Sequence, residues 1–571
     1  MVKFSLFVPI TLAGLCAVTP ARSADAVWVF LADKIDEEGR RIDWPPTPKV
    51  VRSQQLDLPL DDSYLRAVES AATEIRQRSR WFNAVSVTAT PEQVEDLRDL
   101  PFVINVRPVH TVGRTPDVDG LPLAFSSKSA TLNYGESFEQ IAAVGVHLLH
   151  ARGVLGLGVR IAVIDAGFNW RDHRAFAELK VIATRDFLNG DNVVADEFDE
   201  PVTGNEFEND QNHHGTRVLG VLAGYDPGQL IGVAPEAEYI LAKTEFGLIG
   251  EDGQEREPAT EEDRWIAALE WADSLGAQVV NSSLAYTTFE DSTGYTYQDL
   301  DGATALTTRA AELAVARGIV VVNAAGNDGN KAWHYISVPA DGAGVIAIGA
   351  VDPVNASLAY FSSRGPTADG RIKPDVVAPG QRIVTVSGGS SGSSAEPFSL
   401  QQYRRVSGTS FSTPIVSGAC ALLLQLHPEW TPGQVADALR STAVDLGPAG
   451  ADTLFGWGLI DMVAASGLQA IIPDNSLASA PFPNPARGSS PVIHFPVALQ
   501  STQDVSLSLF DAAGELVART EPRHLPAGEY TVAGLAPRWD VPPHLADGIY
   551  LYVLAGTTFG RTGKVAILRT R

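Results

Sequence analysis

The chain has 571 residues, too long for one hydrophobic core, so roughly two to four domains are expected. Hydrophobic residues make up 45% and charged residues 19%, a globular balance that excludes global disorder. Asp plus Glu outnumber Lys plus Arg by 68 to 43, for a formal charge of -25, and no basic cluster offers a face for a nucleic-acid partner.

Residues 1–24 read MVKFSLFVPITLAGLCAVTPARSA. Lys3 precedes an apolar run from Phe4 to about Val18, and small residues follow, the pattern of a secretory signal peptide cleaved near Ser23 or Ala24. A membrane anchor is the alternative, but the run is short for a span. Lipid attachment at Cys16 is disfavoured by the bulky Leu15 before it. No later stretch reads as apolar for long enough to cross a bilayer. Cys16 leaves with the signal, so Cys420 has no partner and the mature chain has no internal disulfide. Within SGACALLLQL, Cys420 reads as a packing residue, not a nucleophile.

Residues 25–110 read as a small α+β unit. AVWVFLA is a strand, DDSYLRAVESAATEIRQRS is helical, AVSVTAT is an alternating strand, PEQVEDLRDL is a short helix with Pro91 near its start, and FVINVRPV is a further strand. The polar, Gly- and Pro-bearing residues 111–130 read as an exposed linker.

Over residues 131–469 short apolar strands alternate with helices. RIAVIDAG, AEYILAKT, AQVVNSSL, GIVVVNAAG and GVIAIGAV are rich in Val, Ile and Ala, and EEDRWIAALEWADSLG and TALTTRAAELAVARG are helical runs that end in Gly. Strands apolar on both faces and spaced by helices predict a parallel sheet with helices on both faces. Sites in such sheets lie beyond the C-terminal strand ends. That rule singles out Asp165 after VRIAVI, Asn327 after GIVVVNAAG, and Ser410 in a Gly-Thr-Ser turn entering a long apolar helix. His214 also precedes a helical run. Each alone has a blander reading, as a turn residue, a helix cap or a surface histidine. Together they stand in the order Asp, His, Ser, one of the known chain orders of the serine-protease triad.

Residues 470–482 form a second linker of Pro, Ser and Ala character. Residues 483–571 read as a small antiparallel β-sandwich, with VSLSLFD alternating and GIYLYVLAG a clear strand.

The motifs IAVIDAGF, NHHGTRVLGVLAG, VVNSSLAY, VVNAAGND, FSSRGP, KPDVVAPG, SGTSFSTPIVSG and GWGLIDMVAA stand in one order. In them the segment 131–469 resembles the subtilisin-like (subtilase) serine peptidases. The resemblance implies a subtilisin-like α/β fold and hydrolysis of peptide bonds by Asp165, His214 and Ser410 through an acyl-enzyme. It implies Asn327 as an oxyanion-hole donor, and Ser283, Leu284, Ala285, Ala324, Ala325 and Gly326 as substrate-binding residues. It implies polypeptide substrates and no cofactor for the chemistry. Residues 25–110, chiefly AVSVTATPEQVEDLRDLPFVINVRPV, resemble the family's inhibitory propeptide, which implies a zymogen that cuts itself near 111–130. A secreted or cell-surface bacterial enzyme is the resulting expectation.

The sequence departs from the family pattern in three places. Ala166 replaces the usual Ser or Thr after the aspartate, so a hydroxyl near the carboxylate is expected to be missing. Arg217 stands where a second histidine is common. Ala285 replaces a glycine, and its methyl either narrows the cleft or is absorbed by backbone shifts. The pocket residues near 283–285, 324–326 and 336–338 are small or apolar, which points to a broad or apolar preference.

Asp191, Asp196, Glu197, Asp199, Glu200, Glu206, Glu208 and Asp210 form an acidic stretch without Lys or Arg. It reads either as a solvated loop or as a place for structural Ca²⁺. Glycines in GVLGLGVRIAV precede the strand instead of following it, so a dinucleotide site is excluded. Trp265, Trp271 and Trp457 read as structural. In PFPNPARG, LPAGEYTV, ADGIYLYVLAG and GKVAILR the last segment resembles small Ig-like domains of secreted bacterial proteins, akin to hook-capping and type IX secretion sorting domains. That implies an export, attachment or accessory role, and secretion machinery as a possible partner.

Overall fold

The computed structural model describes residues 25–36, 38–44, 53–109, 118–122, 132–171, 173–195, 213–245, 248–249, 255–256, 262–284, 295–387, 403–467, 481, 486–487, 491–499, 502–511, 516–526, 528–530, 538–555 and 560–569. The expected signal segment, residues 1–24, lies outside them. The chain divides into two compact units, Met1–Val109 and His110–Arg571.

The first unit is built on a four-stranded antiparallel sheet. Its strands are β1 (Asp25–Leu31), β2 (Glu74–Ser79), β3 (Ala84–Ala89) and β4 (Val103–Pro108), in the order β2-β3-β1-β4. Helices α1 (Asp62–Ala71) and α2 (Pro91–Arg98) belong to the unit, as do a helical turn at Ser53–Leu56 and a hairpin of Asp33–Ile35 with Arg41–Asp43, and the core includes Val29, Val68, Val85, Val87 and Leu97. Thr90 and Gln93 form a capping box at α2, and Pro91 sits at its start as expected. One expectation fails. EIRQRS was expected to continue the helix but forms edge strand β2, because α1 ends at Ala71 and this stretch pairs with β3. Its Arg-Gln-Arg character suits a sheet edge as well as a helix, so tertiary pairing decides.

The second unit contains a seven-stranded sheet, parallel throughout, in the order β12-β11-β10-β9-β6-β8-β7. The strands are β6 (Arg160–Asp165), β7 (Lys180–Asp186), β8 (Glu238–Lys243), β9 (Val279–Ser282), β10 (Val320–Ala324), β11 (Ile346–Val351) and β12 (Val376–Pro379). All five strands expected from the sequence are present. The two edges were not expected, and β7 shows why: only Asp186 of that strand is fully buried, so it lacks the continuous apolar signature.

Helices α3 (His213–Ala223), α4 (Glu262–Ser274), α5 (Leu306–Ala316), α6 (Thr409–Leu426) and α7 (Pro432–Ser441) accompany the sheet. Helix α6 is buried from Thr409 to Leu424 and lies at the centre of the core. It corrects one expectation, since at 18 residues with mean hydropathy 1.3 it is long and apolar enough to cross a membrane. The helix is 89% buried within the protein, which identifies it as a core helix. Trp265 is fully buried, and Cys420 is a buried free thiol whose pKa burial pushes up, as an inert packing residue requires.

The sequence reading of 111–130 as exposed linker also needs correction. Val118–Pro122 forms strand β5, which pairs antiparallel with β14 (Tyr403–Ser407), itself paired with β13 (Ile383–Val386). Nothing in VDGLP alternates, so only the partner strand makes it a strand.

The last segment holds an antiparallel set in the order β18-β17-β15-β16, from β15 (Gln503–Phe510), β16 (Leu516–Arg519), β17 (Gly548–Ala555) and β18 (Gly560–Leu568). Ala486–Arg487 adds to β18 in parallel, a departure from the all-antiparallel expectation. Ile493, Phe495, Leu507, Trp539, Tyr552 and Ile567 share its core.

The packing of α6 is close enough to test. A Cβ at Gly418 would lie 2.5 Å from Val233 Cβ and 2.6 Å from its Cγ1. Replacing glycine in a helix by alanine gains about 1 kcal/mol of propensity, whereas overpacking beside a stiff β-branched side chain costs about 1–3 kcal/mol. Gly418→Ala is therefore expected to lower the thermal unfolding midpoint. Gly433→Ala in α7, where only Thr431 Oγ1 comes within 4.0 Å, is expected to hold or raise it. Calorimetry on both variants checks the pair.

Candidate active site

Asp165 is the last residue of β6 and is fully buried. Its Oδ1 accepts the Ala166 N–H at 2.8 Å and pairs with His214 Nδ1 at 2.6 Å. A carboxylate at that distance makes Nδ1 the donor and leaves Nε2 as the imidazole's base. Asp165 Oδ2 is buried and has no hydrogen-bond partner among the described residues.

His214 lies in the first turn of α3, and the Gly-Thr after it explains the approach. A Cβ at Gly215 would sit 2.3 Å from the Gly167 carbonyl oxygen and 3.0 Å from Asp165 Cβ. Only glycine lets the helix start this close to the strand end. Thr216 Oγ1 accepts the Asn169 N–H at 2.8 Å and so ties down the loop after Asp165. His213 belongs to the same turn, but its side chain lies outside the described residues. Arg217 Nε donates to the Ser387 carbonyl at 3.2 Å, so it links α3 to the end of β13.

Ser410 is the second residue of α6 and is 3% exposed. The first N–H groups of a helix have no intrahelical acceptor, so the Ser410 N–H can serve a ligand. The ring of the next residue, Phe411, lies 5.8 Å from the His214 ring, which places the starts of α3 and α6 together. Asn327 follows β10, and its Oδ1 accepts from both the Thr409 N–H at 2.9 Å and Thr409 Oγ1 at 3.0 Å. Those bonds fix the flip of the amide and turn its NH₂ end away from Thr409. The structure thus brings Asp165, His214, Ser410 and Asn327 to one end of the sheet.

The expected substrate-binding residues divide. Ala324, Ala325 and Leu284 are fully buried, and Gly326 has φ +112°, with Ser337 Oγ and Ser363 Oγ each 2.9 Å from where a Cβ would stand. Asn323 Nδ2 donates to the carbonyls of Leu284 and Ala324, both at 2.9 Å, and so clamps the ends of β9 and β10. Ser283 turns its hydroxyl to the Ser410 carbonyl at 2.8 Å, a contact between residues 127 apart in sequence that no local signal reveals. Ala285 lies outside the described residues, as do residues 196–210 of the acidic stretch. Among the described residues no group of three or more His, Cys, Asp or Glu is placed to hold a metal ion.

Comparison with known proteins identifies the family. The subtilase family model matches residues 156–458, and the model of the peptidase S8 propeptide domain of Bacteroidota matches residues 47–119. Subtilisin E of Bacillus subtilis (strain 168) is 30% identical over 397 residues, covering 69% of this chain and 83% of the relative. Subtilisin BL of Lederbergia lenta is 32% identical over 327 residues, covering 57% and 97%. The crystal structure of fervidolysin from Fervidobacterium pennivorans, a keratinolytic enzyme related to subtilisin, aligns with TM-score 0.55 at 20% identity, over 96% of this chain and 78% of that one. It shares the subtilisin-like fold. The chain belongs to the subtilase family and is a subtilisin-like serine endopeptidase with a propeptide domain.

Proposed function

We propose that Asp165, His214 and Ser410 form the catalytic triad and that Asn327 completes an oxyanion hole. The 2.6 Å bond from buried Asp165 to His214 carries this reading, because it prepares one imidazole as a base beside the start of the Ser410 helix. Ser410 Oγ attacks the scissile carbonyl while His214 Nε2 takes its proton, then gives it to the departing amine. Asp165 holds the tautomer and stabilises the imidazolium. The developing oxyanion is met by the Ser410 N–H and the Asn327 amide. Losing such an asparagine donor costs about 10²–10³ in kcat, the magnitude known for subtilisin. Water then hydrolyses the acyl-enzyme by the same steps in reverse.

Ala324, Ala325, Gly326, Ser283, Leu284 and Ala285 are the residues assigned to border the substrate, and the buried side chains of Ser283, Leu284, Ala324 and Ala325 favour contact through backbone. A broad or apolar preference beside the scissile bond follows from this small, uncharged lining. The chemistry uses no cofactor, and the acidic stretch that begins at Asp191 supports structural Ca²⁺.

The precursor reading assigns 1–24 to a signal peptide, 25–110 to the inhibitory propeptide, 111–130 to the processing region, 131–469 to the peptidase domain, 470–482 to a linker and 483–571 to an Ig-like sorting or accessory domain. The apolar N-terminal run supports secretion from a bacterium. The last domain is then the part that secretion machinery or the cell surface meets.

Expression of the full-length chain tests this directly. The unsubstituted protein is expected to shed its propeptide, and Ser410→Ala to stay full length. Normal maturation of Ser410→Ala without another protease would sink self-processing. His214→Ala is expected to lower peptide hydrolysis by on the order of 10⁴-fold or more, and His213→Ala to leave most of it. Equal losses for the two histidines would remove the assignment of His214 as the base.

A further inference from the structure

Helix α6 contains a proline, Pro414, four residues after Ser410. A proline has no N–H, so the Ser410 carbonyl loses the donor that a regular helix would give it. A buried carbonyl without a donor is strongly disfavoured. Here the missing bond comes from another element. Ser283 Oγ donates to the Ser410 carbonyl at 2.8 Å. Ser283 Oγ accepts from Asn281 Nδ2 at 3.1 Å, and Asn281 Oδ1 accepts from Ser417 Oγ at 2.8 Å. The chain of bonds therefore leaves α6 at Ser417, crosses the end of β9, and returns to α6 at Ser410. Ser283 is 1% exposed, and Asn281 and Ser417 are fully buried.

We propose that Ser283 is a positioning residue for Ser410, with Asn281 and Ser417 behind it, and that it supplies the hydrogen bond which Pro414 withholds. The inference rests on Ser410 being the nucleophile. The relay fixes the peptide plane that follows Ser410, and with it the backbone torsion that aims Oγ. It also joins the nucleophile to the end of the strand that leads into Leu284. Pro414 has a purpose in this arrangement: it leaves the Ser410 carbonyl open to β9. Ser283 consequently acts through Ser410 and not by gripping the substrate with its side chain.

The test is a double-variant cycle on enzyme matured from the full-length precursor, assayed with a short chromogenic peptide amide. Ser283→Ala is expected to lower kcat by about 10- to 100-fold, the scale of a misplaced reacting group, with KM within about twofold. Pro414→Ala restores an N–H that can reach the Ser410 carbonyl within the helix. In that background Ser283→Ala is expected to cost no more than about threefold, because the two residues serve one bond. The same fold loss in both backgrounds would overturn the relay. So would a raised KM with unchanged kcat, which would make Ser283 a substrate contact. If Ser283→Ala alone fails to fold, the Ser283→Ala/Pro414→Ala protein decides: recovery of folded, active enzyme supports the relay, and continued failure overturns it. An unsubstituted protein inactive on the amide would instead overturn the reading of Ser410 on which the relay rests.

Discussion

The site depends on how close a helix may come to the end of a strand. Asp165 stops β6 inside the core, and His214 reaches its Oδ1 at 2.6 Å only because Gly215 has no side chain to collide with Gly167 and Asp165. In a buried setting that bond is worth more than it would be in water, and it is made before any substrate arrives. The remaining parts are arranged around it. The parallel sheet sends its C-terminal ends to one side, and α6 starts there with Ser410 near the tip. Thr409 then binds Asn327, so one turn of helix sets both the proposed nucleophile and the proposed oxyanion donor.

A second layer of polar bonds keeps this layout in place. Lys373 and Asp375 of the KPDVVAPG motif are each 2% exposed and pair at 2.7 Å. Asp375 also accepts Arg440 Nη2 at 2.6 Å and the Ala347 N–H at 2.7 Å. Lys373 further donates to the Val345 carbonyl at 2.6 Å. A family motif with charged residues here is a clamp between β11, β12 and α7 and takes no part in the chemistry. Trp265 has a comparable position, donating its Nε1–H to Ser282 Oγ at 3.1 Å beneath the end of β9.

The legible part of the fold was the part with strong periodicity. Strands buried on both faces, such as IAVID and VVVNA, show as continuous apolar runs, and their order with helices implies the parallel sheet. The edge strand β7 and the short β5 carry no such signature, since an edge is half polar and β5 owes its form to β14. Of the candidate site, Asp165, His214, Ser410 and Asn327 could be singled out because each follows or starts an element and sits in a motif. The inward turn of the Ser283 hydroxyl was not readable. The spacing of Ser410 and Pro414 does announce that a carbonyl will lack its helical donor, but a linear chain does not say which distant hydroxyl comes to meet it.

In the proposed mechanism one buried aspartate–histidine pair activates one serine. A serine-directed fluorophosphonate reports that state directly, because it phosphonylates, with loss of fluoride, a serine hydroxyl whose proton is taken by a base. Matured enzyme is predicted to take up one label at Ser410, found by peptide mapping, and His214→Ala is predicted to take up almost none while His213→Ala labels normally. Labelling of Ser410 that survives His214→Ala, or no labelling of the matured unsubstituted enzyme, would contradict the account.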